Sequence, residues 1–443
     1  MDGDYTALIA QTITTFADAI LGRESRLRER GLDIDGDVLR LVRQVGQGIV
    51  QHVLAKIAEG VVVETSRANP SLVTQRRADI RLETIFGAVA VESPYLWAPG
   101  TSARPVKVVL GFKHGQRSTA VQRALTDFGA EESFGQAAAR FAEHYGWEVG
   151  RTSVLRVVED IADDAEVYVD QRLEAMRKSF DAPLATRPGC DRMLVELDGC
   201  EIRTGKLVPL PGHARTPVRK NERRRRQEDW RDVRVGLARR PEEVERTAVA
   251  RLAPYPEVTA QLFNAAVGRG LSSRTQTIGI GDGGNGLRES LAEKFSGLRY
   301  ILDRPHIKSH LYETAEALGY GGEHRENWVN VRLEMMDGGQ AIGALHLLRR
   351  ELARTGNERL RQLVTHVKRF KDAVHYARYR AEGLPCGSGE VESAHRSIPQ
   401  KRLKLPGACW RTETINPMLA LRVLRANGWW QDFWHKRVGA KAA

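Results

Sequence analysis

The chain has 443 residues, 42% hydrophobic and 28% charged, with a formal net charge of +12. That length is too great for one small core, and the composition excludes a disordered or collagen-like polymer, so two or three globular domains are expected. A basic excess of this size (sequence pI about 9.7) fits a polyanionic partner, most simply nucleic acid, with a membrane surface or an acidic protein as the other options.

The four cysteines, Cys190, Cys200, Cys386 and Cys409, form no Cys-x-x-Cys pair, so neither a zinc knuckle nor a disulfide framework is expected. No signal peptide and no apolar run of membrane-span length is found, so a cytoplasmic protein with no membrane partner is expected.

In chain order, residues 5 to 60 show apolar positions at helical spacing, including Ile9, Ile13, Phe16, Val38, Val42, Val45, Ile49 and Val53. A β segment follows from Ile80 to Tyr95, alternating in and out, and Pro94, Pro99, Gly100 and Pro105 mark a loop. Ser133 to Gly146 reads as a short helix ending at glycine. Trp147 to Glu159 reads as a turn and a second helix capped by Thr152 or Ser153. Arg151 and Arg156 on that second helix could enter a DNA groove; an αα-hairpin that merely packs is the equal alternative.

Met193-Leu-Val-Glu-Leu-Asp198-Gly is a predicted strand, with Cys200 to Thr204 able to pair with it. Arg219, Lys220 and the run Arg223, Arg224, Arg225, Arg226 are predicted as a basic loop, and Trp230 to Leu237 as a third strand. Thr275 to Asp282 is a fourth, followed by a helix from about Gly286 to Phe295, and Leu298 to Asp303 is a fifth. Three strands and then strand–helix alternation predict a mixed α/β sheet. From Pro305 to Arg380 the pattern is helical throughout, an all-helical insertion. The tail from Ile415 ends in the cluster Trp429, Trp430, Phe433 and Trp434, a packing face by default.

The insertion ends at Leu384-Pro-Cys-Gly-Ser-Gly-Glu-Val-Glu-Ser-Ala-His395, a glycine elbow with Ser388 as the expected helix N-cap and Glu390 and Glu392 in the first turn. Asp198 and Asp282 each end an apolar strand, where a charge is costly unless it is paired or bound to metal. If those strands are neighbours, the two carboxylates meet, and an acid from the elbow completes an oxygen cage open to phosphate and water. Each Asp-Gly alone is as well read as a turn. The arrangement of strand Asp, strand Asp, helical insertion and acidic helix start carries the inference.

At these residues the sequence resembles the ISKra-type insertion-sequence transposases, a group with a DDE catalytic triad on an RNase H-like fold. The resemblance rests on Leu-Asp198-Gly, Gly-Asp282-Gly, Tyr-Ile-Leu-Asp303-Arg-Pro-His306-Ile-Lys-Ser-His310 and Gly387-Ser-Gly-Glu-Val-Glu392-Ser. Arg402-Leu-Lys404-Leu-Pro-Gly407-Ala-Cys-Trp410 and the tryptophan-rich tail add to it, and it covers residues 80 to 435. It implies an α/β, RNase H-like mixed sheet with an all-helical insertion, preceded by a mainly helical N-terminal region. The divisions that follow are 1–75 (helical), 76–185 (DNA-binding, with helix-turn-helix-like helices), 190–304 (first part of the catalytic core), 305–385 (insertion) and 386–443 (last part of the core and C-terminal helix).

The resemblance further implies Asp198, Asp282 and Glu392 as catalytic ligands of two Mg2+ ions, replaceable by Mn2+, with His306, His310 and Asp303 as auxiliaries. Glu390 is the internal rival of Glu392; two positions apart on a helix they point about 200° from one another. Arg151, Arg156, Arg223 to Arg226, Arg402, Lys404 and Trp410 are the expected DNA contacts. Double-stranded DNA is the implied partner, with a homodimer formed on it. Relatives carry a cysteine pair where this chain has Leu96-Trp-Ala-Pro99, which removes any argument for zinc there. The expected activity is metal-dependent strand cleavage and transfer. A purely hydrolytic RNase H-like nuclease and a domesticated, non-cutting DNA-binding protein are the alternatives.

Overall fold

The computed structural model describes residues 6–21, 34–111, 116–178, 184, 189–209 and 224–442. The described chain divides into two compact units, residues 1–158 and 159–443.

The first unit begins with α1 (Thr6–Leu21) and the 35-residue α2 (Ile34–Ala68). The β segment is a hairpin of β2 (Asp79–Thr84) and β3 (Gly87–Glu92), with Ile80, Leu82 and Thr84 buried alternately as the period-two pattern requires. β6 (Gln116–Arg117) joins β2 in parallel, and β1 (Val73–Arg76), β4 (Tyr95–Ala98) and β5 (Thr101–Ala103) form a second small sheet. The proline-marked stretch after Pro94 is therefore not all loop: Leu96 and Ala98 are buried with Leu72, and the β4–β5 turn falls at Gly100, whose φ of 81° suits glycine.

Next come α3 (Pro105–Leu110), α4 (Thr119–Gly129), α5 (Phe134–Tyr145) and α6 (Arg151–Lys178). A capping box between Ser133 and Gln136 starts α5, and left-handed Gly146 ends it. Thr152 and Ser153 do not cap α6. Arg151 is already helical, and the Gly150 carbonyl accepts from Ser153 N and Val154 N.

In the second unit, β7 (Arg192–Pro209) and β8 (Arg224–Arg239) form one long antiparallel hairpin, paired from Leu194–Arg239 to Pro209–Arg224. Cys200 to Thr204 is thus the outer half of the first strand and not its partner. β9 (Thr247–Arg251) adds antiparallel to β8. After α7 (Tyr255–Gly268), β10 (Gln276–Gly281) returns parallel to β7. After α8 (Leu287–Lys294), β11 (Arg299–Leu302) lies parallel to β10. The order across the mixed sheet is β11-β10-β7-β8-β9. Met193 to Leu197 are all buried because the central strand is covered on both faces, so it reads as a continuous run with no alternation.

From α9 (Arg304–Ala317) the chain is helical through α10 (Gly322–Asp337), α11 (Ala341–Thr355), α12 (Glu358–Arg369) and α13 (Tyr376–Ala381). Ile307, Leu311, Leu333, Met336, Leu345, Leu348, Leu360, Leu363 and Val367 are buried. α14 (Gly389–His395) passes through a π-helical turn, Arg396–Gln400, into α15 (Lys401–Leu403). α16 (Ile415–Ala426) and α17 (Trp430–Ala442) close the chain, with Trp429, Trp430, Phe433 and Trp434 buried as a packing face. No helix among the described residues is long and apolar enough to cross a membrane.

Candidate active site at the parallel strand ends

Acids stand where the parallel pairing of three neighbouring strands stops, in the middle of β7 and just past the ends of β10 and β11. β10 pairs with β7 so that Gln276 lies opposite Arg192 and Ile280 opposite Glu196. That constant offset, carried two residues on, sets Asp282 beside Asp198. β11 pairs with β10 as Ile280–Ile301 and Gly281–Leu302, and the same continuation sets Asp303 beside Asp282. Strand ends of a parallel sheet are where loops gather functional groups, and here the gathered groups are carboxylates.

Asp198 is mostly buried, its Oδ1 taking a 2.7 Å hydrogen bond from Gly199 N. Burial first, and then the charge of Asp282, push its carboxyl up to about 6. Asp282 is held by Gly284 N, 2.8 Å from Oδ1. Its loop turns at Gly283, whose φ is 83° and where a Cβ would sit 2.8 Å from both the His366 and Phe370 rings.

Asp303 is a clasp. Buried, it caps α9 through His306 N and takes the Ser388 hydroxyl on Oδ2, while its own N–H bonds the Gly281 carbonyl. Ser388 does stand at the N-cap of α14, as expected, but its hydroxyl goes to Asp303 and makes no cap hydrogen bond. That helix instead docks through the Val391 N–H, 2.9 Å from Oε2 of Glu196 on β7.

Glu196 is almost fully buried, and burial raises its carboxyl to about 7. A folded value above the unfolded one means that stability is full below about pH 4 and is lost as pH rises toward 7. In chelator, Glu196→Gln, which keeps an acceptor for Val391, is expected to flatten this decline by on the order of 3 kcal/mol at pH 8. Thermal melts of both proteins at pH 5 and 8 check it; equal slopes would refute it.

The two elbow acids part as the helix geometry requires. Glu390 turns toward Arg239 and Arg246, at 2.5 and 3.6 Å. Glu392 is exposed, and among the described residues its carboxylate makes no hydrogen bond or ion pair, nor does it touch Asp198 or Asp282. One turn beyond it, His395 does reach the strand end: Nε2 lies 3.6 Å from Asp198 Oδ2. Among the described residues, no three His, Cys, Asp or Glu side chains already converge on one ion position. The donors are adjacent oxygens of like charge, which suits a hard divalent cation, but the shell is not closed.

His306 and His310 do share a face of α9, with ring centroids 4.5 Å apart, and His366 of α12 meets His310 edge to face at 5.3 Å. Burial lowers His310, and brings His366 down to about 4. The Asp282 charge acts on His366 and the Asp198 carboxyl feels His306, so this histidine group flanks both aspartates.

The expected DNA contacts divide. Arg402 is buried with its guanidinium 4.7 Å from the ring centre of Trp410, itself buried, and burial lowers Arg402 to about 10, so neither is placed to hold a phosphate. Lys404 is exposed, and its charge acts on the Cys200 thiol and the His395 ring, beside the aspartates. Arg224 to Arg226 belong to β8 and not to a loop, with Arg225 and Arg226 exposed; Arg223 lies outside the described residues. Arg151 and Arg156 are exposed on α6.

Glu196, His366 and His395 are the members that the sequence analysis did not assign. Only His395 left a local sign, its i+3 spacing from Glu392. No protein-family model and no curated protein matches the chain.

Proposed function

We propose that the chain is a DDE-type DNA transposase of the ISKra-type group, cleaving and rejoining phosphodiesters at an RNase H-like centre formed by Asp198, Asp282 and Glu392. The observation that carries this reading is the shared register of β7 and β10, which sets two carboxylates side by side at the end of a mixed sheet. Three antiparallel strands followed by two parallel ones, in the order β11-β10-β7-β8-β9, is the connectivity expected of an RNase H-like core. The helical stretch between β11 and α14 is where that reading puts the insertion.

Asp198 and Asp282 fit a cation because their mutual repulsion, already visible in the raised Asp198, is relieved by positive charge between them. Glu392 would join them from α14. Mg2+, or Mn2+ in its place, would supply Lewis acidity toward the phosphate and a more acidic attacking water or 3′-hydroxyl.

The rest is done by the chain itself. Lys404, whose charge reaches the Cys200 thiol and the His395 ring, would attract the scissile phosphate, and Asp303 with Ser388 holds the elbow. Double-stranded DNA is the proposed partner, bound as a homodimer, with end recognition in the α4–α6 region.

Arg225 and Arg226 on the β7–β8 arm would contact phosphates without reading sequence. Replacing both by Ala is expected to weaken binding to every duplex alike and lower the salt slope by about 2. Titrations at several salt concentrations test it; an unchanged slope would refute the contact.

The deciding experiment uses the full chain, Mg2+ and duplexes carrying the DNA that flanks its gene. Joining of a pre-cut 3′ end to a second duplex is the expected result. Hydrolysis without joining points to a nuclease, and binding without cleavage to a DNA-binding protein that does not cut.

A further inference from the structure

His395 lies next to the proposed metal ligands, yet nothing in the reading above uses it. Its ring is buried and lies against β7 at Asp198. Its Nε2 has no hydrogen-bond partner. With its proton on Nδ1, the neutral ring keeps a lone pair on Nε2. That lone pair is 3.6 Å from Asp198 Oδ2, beyond hydrogen-bond reach.

An orphaned buried ring nitrogen is costly, so as mere packing an apolar ring would serve better. A buried, unpartnered Nε2 turned toward a carboxylate is an arrangement from which a histidine can ligate a metal. Two donors at about 2.1 Å from one octahedral ion stand about 3 Å apart, so small side-chain shifts bring Nε2 and Oδ2 onto a common cation.

We propose that His395 supplies a nitrogen donor to the cation held by Asp198, making the site one of mixed oxygen and nitrogen ligands. This rests on the metal-dependent reading above but adds a ligand and a selectivity. Imidazole nitrogen favours Mn2+ and later metals, whereas Mg2+ takes oxygen. The site should then prefer Mn2+ more strongly than carboxylates alone would allow.

The test is electron spin-echo spectroscopy of the full chain loaded with Mn2+, without DNA. Wild type should show nitrogen modulation from a directly bound imidazole. His395→Gln should lose it while still binding Mn2+, about 10-fold more weakly and with a narrower Mn2+ over Mg2+ preference. His306→Gln, on α9, should keep it. Mn2+ bound by wild type with no nitrogen modulation overturns the proposal and leaves the proposed function standing, as does modulation that persists in His395→Gln. Binding that does not depend on Asp198 overturns both.

Discussion

Replacing Asp198 or Asp282 by Asn is expected to cut DNA cleavage by at least about 10³-fold, while the metal-free protein loses no stability. The two effects separate because the carboxylates repel each other in the absence of a cation. Burial and Asp282 hold Asp198 up at about 6. Its folded value is above the unfolded one, so it contributes no penalty below about pH 4, and the penalty grows with pH to its full size above about 6.

At pH 7.5 in chelator that penalty is at most about 3 kcal/mol, and Asp198→Asn removes it. For a unit of this size, a melting temperature higher by a few degrees is expected. Added Mg2+ should raise the wild-type melting temperature and leave both variants unmoved, since only the wild type gains from binding. Cleavage assays and thermal melts of the same preparations check the claim. A variant that is inactive because it melts several degrees lower would remove it, and so would one that still cuts.

Why the aspartates were legible in the sequence and their surroundings were not is a matter of range. Met193 to Leu197 and Thr277 to Gly281 are dense apolar runs, and a run buried on both faces identifies a central strand without any knowledge of its neighbours. The short Thr247–Arg251 strand and the α7 helix, which opens on Tyr255-Pro256, left no comparable pattern and were missed.

Gly199 was misread as a turn beside Asp198. It stays within an 18-residue strand because β8 pairs with it throughout, and the Asp232 side chain comes so close that a Cβ would lie 2.6 Å from its Oδ1. Its pairing partner, Arg234, lies 35 positions away in the chain. Ser388 had the right neighbours for a cap, but Asp303 takes its hydroxyl and Glu196 satisfies the helix start. Arg402 reads as one more cation in a basic run until Trp410 folds over it. Local pattern reports which residues are buried or helical. It does not report which distant side chain meets them, and the site consists of such meetings.

The same limit left Glu390 and Glu392 as rivals, and their substitutions are expected to differ by about 10² or more in activity. Glu390 is already committed, between Arg239 at 2.5 Å and Arg246 at 3.6 Å. Glu390→Gln should lower thermal stability by about 1 kcal/mol, since these partners are partly exposed, and leave cleavage within a few-fold of wild type. Glu392 is exposed and on the same side of α14 as His395, whose ring touches Asp198. A ligand waiting for its ion has this character: near the site, unpaired, and free to turn inward. Glu392→Gln should therefore abolish cleavage with no change in the metal-free melting temperature. Should Glu390→Gln be the inactive variant, α14 would have to rotate by about half a turn on DNA binding, breaking both arginine pairs. The Val391 N–H to Glu196 bond, 2.9 Å long and buried, opposes that rotation. Activity in Glu392→Gln equal to wild type would take the third carboxylate away from this helix altogether and leave Asp303, in register with Asp282, to supply it.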